Sequence, residues 1–190
     1  IDGDQLMTVC GLHMHRNGRL RPPKIVVTVM SNIGLNIAFR RENVEVLSTQ
    51  VGDRYVLEKM QESGARIGGE QSGHIIFLDH ATTGDGLLSS LKLAEVIRET
   101  GMPLSALARE MEKHPQVLIN VDIKNKGSIL NNMEIVQAIA EAEKRLGENG
   151  KVLVRPSGTE PKIRIMAQGP DEFLLQEVVN GIKDVVLKAE

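Results

Sequence analysis

The run Lys24-Ile25-Val26-Val27-Thr28-Val29-Met30 constrains the fold more than any other stretch of the chain. It follows Pro22-Pro23, it is rich in β-branched residues, and it is too short and too uniformly apolar for an exposed helix, so it predicts a buried strand. A strand buried in this way needs other elements to cover it. The neighbouring sequence provides them: a helical face over 5–12 that ends around Asn17-Gly18, a cap at Ser31-Asn32, and helical spacing over 33–41. A second strand over 44–47 and a helix over 53–62 that ends at Gly64 follow. This alternation implies βαβ units, with parallel or mixed strands flanked by helices and the functional loops gathered at one sheet edge.

Asp85 is placed to cap the amphipathic run 87–100, Gly101-Met102-Pro103 stops it, and a shorter helix is expected over 104–111. The domain boundary falls near Lys113-His114-Pro115, which divides the 190 residues into 1–115 and 116–190. With 41% hydrophobic residues, each part has the means to build a packed core. The second part reads as a strand over 117–123, a helix over 132–146, a hairpin over 151–154 and 162–166, and a last helix over 171–188. The fold class expected is α/β: a mixed-sheet domain, then a small α+β domain whose strands are covered on one face by two helices.

Two loops gather chemistry. Arg155-Pro156-Ser157-Gly158-Thr159-Glu160-Pro161 forms the loop of the hairpin. Gly158 permits close backbone approach, Ser157 and Thr159 offer hydroxyls, and Arg155 offers a planar fork suited to phosphate oxygens, with Arg164 as a second fork. Gly68-Gly69-Glu70-Gln71-Ser72-Gly73-His74 puts a carboxylate, an amide, a hydroxyl and an imidazole between glycines, ahead of the strand Ile75-Ile76-Phe77-Leu78. That set suits sugar hydroxyls, and His74 is positioned to contact a sugar oxygen or to move a proton. His13 and His15 fall on different faces of a helix and read as surface residues, and His80 and His114 read as structural or solvated. Ile1-Asp2-Gly3-Asp4-Gln5 has the look of a magnesium loop, but Asp2 or Asp4 as a helix N-cap explains it better.

With Thr82-Thr83-Gly84-Asp85-Gly86 and Val51-Gly52-Asp53-Arg54-Tyr55, these loops resemble the alpha-D-phosphohexomutases, and among them the bacterial phosphoglucosamine mutases, over essentially the whole chain. The resemblance implies the third and fourth domains of such an isomerase, which interconverts glucosamine 6-phosphate and glucosamine 1-phosphate through a bisphosphorylated intermediate in cell-wall precursor synthesis. It implies substrate contacts from Glu70, Ser72, Gly73, Gly52 and Asp53, a catalytic role for His74, and phosphate contacts from Arg155, Ser157, Gly158, Thr159 and Arg164. It also implies a phosphoserine and a Mg2+ site on N-terminal domains outside this chain, no metal site within it, and a glucosamine 1,6-bisphosphate-type activator. A phosphomannomutase or phosphoglucomutase of the same superfamily, or a noncatalytic sugar-phosphate-binding module, are the alternatives.

A formal charge of −2 without a basic stripe, one Tyr, three Phe and no Trp argue against a nucleic-acid partner. No apolar run reaches the length of a membrane span, and a single cysteine, Cys10, excludes an internal disulfide and fits the cytoplasm. Because the resemblance puts the nucleophile and metal loop elsewhere, the 190-residue chain alone is expected to show no mutase activity, even with Mg2+ and bisphosphorylated sugar supplied. Turnover by the purified chain that survives removal of trace contaminants is the result that would show the catalytic machinery to be misplaced.

Overall fold

In a computed structural model, which describes residues 1–123, 132–157 and 160–189, strand β1 (Lys24–Thr28) lies inside a four-stranded mixed sheet. Its side chains alternate between two cores, as the pleat requires. Ile25 and Val27 join a cluster with Met7 and Leu12 of α1 (Gly3–Arg16) and Leu35 and Phe39 of α2 (Ile33–Arg41). Val26 faces the other way, into a cluster with Val56 and Met60 of α3 (Asp53–Ser63). Helices therefore cover both faces, and the uniformly apolar strand has no side left for water.

The sheet order is β2–β1–β3–β4. β2 (Glu45–Thr49) and β3 (Ile67–Gly69) run parallel to β1, while β4 (Ile75–Phe77) returns antiparallel to β3. α4 (Gly86–Thr100) adds Val96 to the first core. The helix expected over 104–111 is instead α5 (Leu104–Leu107) followed by a 3-10 turn, Ala108–Glu110, with Leu107 and Met111 anchored in the same core. These elements make up a compact unit, Ile1–Lys113.

α1 ends at Arg16 with Asn17 as its C-cap, where the Asn17-Gly18 signal places its end, and its last turn has distant acidic partners that local periodicity does not reveal. Arg16 meets Glu42 and Glu110, each at 2.8 Å. His13 corrects the surface assignment: its side chain is 12% exposed and its Nε2 lies 2.7 Å from Glu99 of α4. Just beyond the helix, Arg19 forks to Glu95 at 2.8 Å and Glu99 at 2.7 Å, which fastens the end of α1 to α4.

The second unit, His114–Glu190, holds β5 (Gln116–Asp122), β6 (Lys151–Pro156) and β7 (Lys162–Gln168) in the antiparallel order β5–β7–β6. Ile163, Ile165 and Ala167 of the central strand pack with Ile135 and Ala142 of α6 (Met133–Leu146) and with Leu175, Val179 and Ile182 of α7 (Glu172–Lys188). Among the described residues no helix is long and apolar enough to cross a membrane.

The start of α1 supports the loop between β3 and β4. Asp2 closes a capping box with Gln5, which fixes the first turn of the helix. The Gly3 N–H donates to the Gln71 carbonyl at 3.0 Å. A Cβ at Gly3 would collide with the Glu70 carbonyl oxygen and come within 2.8 Å of the Gln71 oxygen and 2.9 Å of the Gly73 nitrogen. All three are backbone atoms, so nothing flexible can yield.

Two predictions follow from this packing. Gly3→Ala should cost about 1–3 kcal/mol of stability, as overpacking against rigid backbone does, and should shift the Gln71 and Gly73 amide resonances. A variant with unchanged melting temperature and an unmoved loop would refute the contact. The second concerns acid. The Arg19 hydrogen bond, then that of Lys92, holds the Glu95 carboxyl below its ordinary 4.5. His13, then Arg19, does the same for Glu99. Carboxyls depressed on folding stabilise above their unfolded value and lose that contribution as pH falls through the folded value. Thermal melts from neutral pH to below 4.5 should therefore show a smaller acid loss for Arg19→Ala than for the unmodified chain, and equal losses would count against the clamp.

Candidate functional site

The three parallel strands of the first unit lead into one cleft at their carboxyl ends, the edge where open α/β sheets bind ligands. The cleft has a volume of about 500 Å³ and is lined by Thr28 and Met30 after β1, Val51 after β2, and Glu70, Gln71 and Ser72 after β3. Asp2 and Lys113, ion-paired at 2.9 Å, line it too. Burial pushes the Asp2 carboxyl up, but hydrogen bonds from Lys113 and the Gln5 N–H outweigh that and hold it below its ordinary value.

Within the loop the Gly73 N–H donates to the Glu70 carbonyl, and the Glu70 N–H to the His74 carbonyl, each at 3.0 Å, which closes a tight turn. The Glu70 carboxylate is fixed from outside the loop. Gly52, the residue before α3, donates its N–H to Glu70 Oε1 at 3.0 Å. Its φ of 133° is a conformation that L side chains rarely adopt, which explains a glycine at this point. Glu70 is thereby held with its side chain only 13% exposed, whereas the His74 side chain is 64% exposed. His74 Nδ1 lies 3.3 Å from Ser72 Oγ and 4.0 Å from Glu70 Oε2.

Asp53, the first residue of α3, completes the group: one ligand atom each from Asp53, Glu70 and His74 lies within 4.8 Å of the others. Two carboxylates with one imidazole do not suit Mg2+, which takes oxygen ligands in near-ideal octahedral geometry and keeps several waters. Gly52, Asp53, Glu70, Ser72 and His74 do come together, and Gly73 (φ 103°) shapes the turn between them.

In the second unit Arg155 of β6 and Arg164 of β7 are direct cross-strand partners. They alternate with Val154, Ile163 and Ile165 of the core and so stand on the face away from it, beside Asn120 of β5. Like charges placed opposite each other destabilise a sheet. Among the described residues only Arg164 finds a weak counter-charge, Glu160 at 3.6 Å, and its buried Nε has no hydrogen-bond partner. Glu160 itself is held low first by Lys162, at 3.0 Å, and then by Arg164. Ser157, expected as a phosphate donor, is buried at 3% exposure, with its N–H on the Lys162 carbonyl and its Oγ accepting from the Glu160 N–H at 3.3 Å. Gly158 and Thr159 lie outside the described residues.

The other singled-out residues have local roles. Asp85 caps α4 through the Leu88 N–H at 3.0 Å. Cys10 is buried, and burial pushes its thiol up to about 12, so it is no nucleophile at neutral pH. Sequence reasoning missed Met30 and Lys113 as cleft residues and Gly3 as the loop's support. No periodicity could have found them, since these contacts join segments far apart in the chain.

The family described as phosphoglucomutase/phosphomannomutase, alpha/beta/alpha domain III, matches residues 2–114, and its C-terminal domain matches residues 118–185. A phosphoglucosamine mutase of Syntrophomonas wolfei is 60% identical over 190 residues, and one of Carboxydothermus hydrogenoformans is 57% identical over 188. These alignments cover 100% and 99% of the chain but 42% of each relative, so the chain spans about two fifths of their length. Among solved structures, an N-acetylphosphoglucosamine mutase of Aspergillus fumigatus superposes with a TM-score of 0.81 at 17% identity, covering 99% of this chain and 43% of that one. A phosphoglucomutase/phosphomannomutase family protein of Burkholderia thailandensis gives 0.70 at 23% identity, covering 100% of this chain and 42% of that one. Matched in sequence by two consecutive domains and in fold by solved members, the chain belongs to the phosphoglucomutase/phosphomannomutase family, of which it carries domain III and the C-terminal domain.

Proposed function

We propose that the chain is the substrate-recognising part of a phosphoglucosamine mutase, which interconverts glucosamine 6-phosphate and glucosamine 1-phosphate through a bisphosphorylated sugar. The observation that carries this reading is the facing pair Arg155 and Arg164, two guanidinium groups set opposite each other with one buried N–H left unsatisfied among the described residues. Such an arrangement costs stability unless a dianion such as phosphate bridges it. The relatives named phosphoglucosamine mutase, at 60% and 57% identity, supply the sugar.

On the first unit, Glu70 and Ser72 accept and donate hydrogen bonds to ring hydroxyls, while Gly52 and Gly73 keep the backbone in the shape that presents them. Asp53 adds a second carboxylate, and His74, exposed and next to Ser72, contacts a sugar oxygen or carries a proton to or from it. On the second unit, Arg155 and Arg164, with Gly158 and Thr159, hold a phosphate, and the buried Ser157 shapes the turn that carries them. Recognition of this kind supplies orientation, which for phosphoryl transfer is much of the catalysis. The phosphoserine belongs to the remaining length of such an enzyme, where Mg2+, when bound, supplies charge neutralisation, and a glucosamine 1,6-bisphosphate-type activator primes the cycle. The reducing cytoplasm suits a chain whose one cysteine is a buried free thiol.

Arg155 is the test. A charge-assisted fork is worth on the order of 1.5–3 kcal/mol per strong hydrogen bond, so Arg155→Ala should weaken glucosamine 6-phosphate binding at least about tenfold. Arg155→Lys should fall between, because it keeps the charge and loses the planar fork. The ligand-free melting temperature should hold or rise, since a cross-strand repulsion is removed. In an NMR titration the shifted amides should cluster at Ser157, Gly158 and Thr159. Unchanged affinity together with a lowered melting temperature would make Arg155 a structural residue and overturn the phosphate assignment.

A further inference from the structure

At the sheet edge opposite the cleft, where β3 begins and β4 ends, the first unit holds another cavity, of about 90 Å³. Its floor is apolar, made by Cys10 and Met14 of α1, Phe77 of β4 and Val96 of α4. Its rim is charged, and most of those charges are already paired. Arg19 is shared between Glu95 and Glu99, Lys92 meets Glu95 at 3.2 Å, and His13 meets Glu99 at 2.7 Å. Arg66 and His80, also on the rim, differ from these. Arg66, with its side chain 45% exposed, donates Nη1 to Asp79 and Nε to the Arg21 carbonyl at a long 3.4 Å, and among the described residues its Nη2 has no hydrogen bond. His80 hydrogen-bonds through its backbone N–H to the Phe77 carbonyl at 2.8 Å, and among the described residues its exposed ring has no partner.

We propose that this cavity binds a short-chain carboxylate, with the hydrocarbon on Cys10, Met14, Phe77 and Val96 and the carboxylate on Arg66 Nη2 and the His80 ring. The site shares no residue with the sugar-phosphate reading above and does not depend on it. The head follows from the donors. A guanidinium edge and an imidazole call for an acceptor, and the planar fork matches carboxylate oxygens. A single negative charge suits the rim better than a dianion, because Asp79 and Glu95 line it too. The tail follows from the volume. An apolar cavity of about 150 Å³ takes benzene, with its six carbons, so 90 Å³ takes about four, and a sugar phosphate is too large to enter.

The test is an NMR titration of the chain with butyrate, set against acetate, butylamine and butyramide. Butyrate should give saturable shifts at the amides of Cys10, Phe77, His80 and Val96 and leave those of Glu70, Ser72 and Arg155 in place. Acetate, shorter by two methylenes, should bind at least about tenfold more weakly, since each buried methylene is worth about fourfold in affinity. Butylamine and butyramide keep the tail and change the head, and each should bind at least about fivefold more weakly than butyrate. Arg66→Gln should weaken butyrate by a similar factor and leave butyramide unchanged, because the amide removes the charge and the fork. No saturable shift at the cavity amides, or acetate binding as tightly as butyrate, would show that the floor takes no tail. Butylamine or butyramide matching butyrate, or butyrate unaffected by Arg66→Gln, would overturn the carboxylate head. Shifts gathered at Arg155 and Ser157 instead would put the anion on the second unit and also overturn the site. Should Arg66→Gln melt early, the four ligands on the unmodified chain still decide.

Discussion

Burial of β1 on both faces is the constraint on which the first unit depends. Ile25 and Val27 need α1 and α2 on one side, and Val26 needs α3 on the other, so the strand is stable only inside a three-layer arrangement. Parallel pairing with β2 and β3 then follows, and it carries the loops after β1, β2 and β3 to the same edge. The cleft containing Met30, Val51 and Glu70 is thus a consequence of core packing before it is a matter of chemistry.

Chemistry enters through backbone geometry. The loop that carries Glu70 is held from two sides: by Gly3 at the start of α1, where a side chain would meet backbone oxygen, and by the Gly52 N–H, which fixes the carboxylate itself. Both supports use residues without a Cβ, one for close approach and one for a positive φ. Packing that rigid keeps Glu70 oriented while leaving Ser72 and His74 open to solvent, the division of labour expected where a scaffold presents a ligand.

The second unit shows the opposite bargain. Its sheet places Arg155 across from Arg164 and leaves a buried N–H of Arg164 without a partner among the described residues, although the core on the other face is uniformly apolar and well filled. Conflict confined to one spot of an otherwise consistent sheet is the observation on which the phosphate proposal rests.

Much of the fold was legible from local pattern. The run 24–30, the Asn32 and Asp85 caps, the apolar stripes of the last two helices and the paired strands over 151–154 and 162–166 all depend on near neighbours, and the structure has them with shifts of a few residues at their ends. The two loops were also legible, since Gly-Glu-Gln-Ser-Gly-His and Arg-Pro-Ser-Gly-Thr put unusual concentrations of hydrogen-bonding groups between strands. What the sequence could not determine was which distant groups meet: Gly3 with the Glu70 loop, Gly52 with the Glu70 carboxylate, His13 with Glu99, Arg155 with Arg164. Periodicity reports how a segment is buried, whereas register and long-range approach are settled only when whole elements pack. The same packing turned Ser157 inward onto its own turn and set Asp53 beside Glu70.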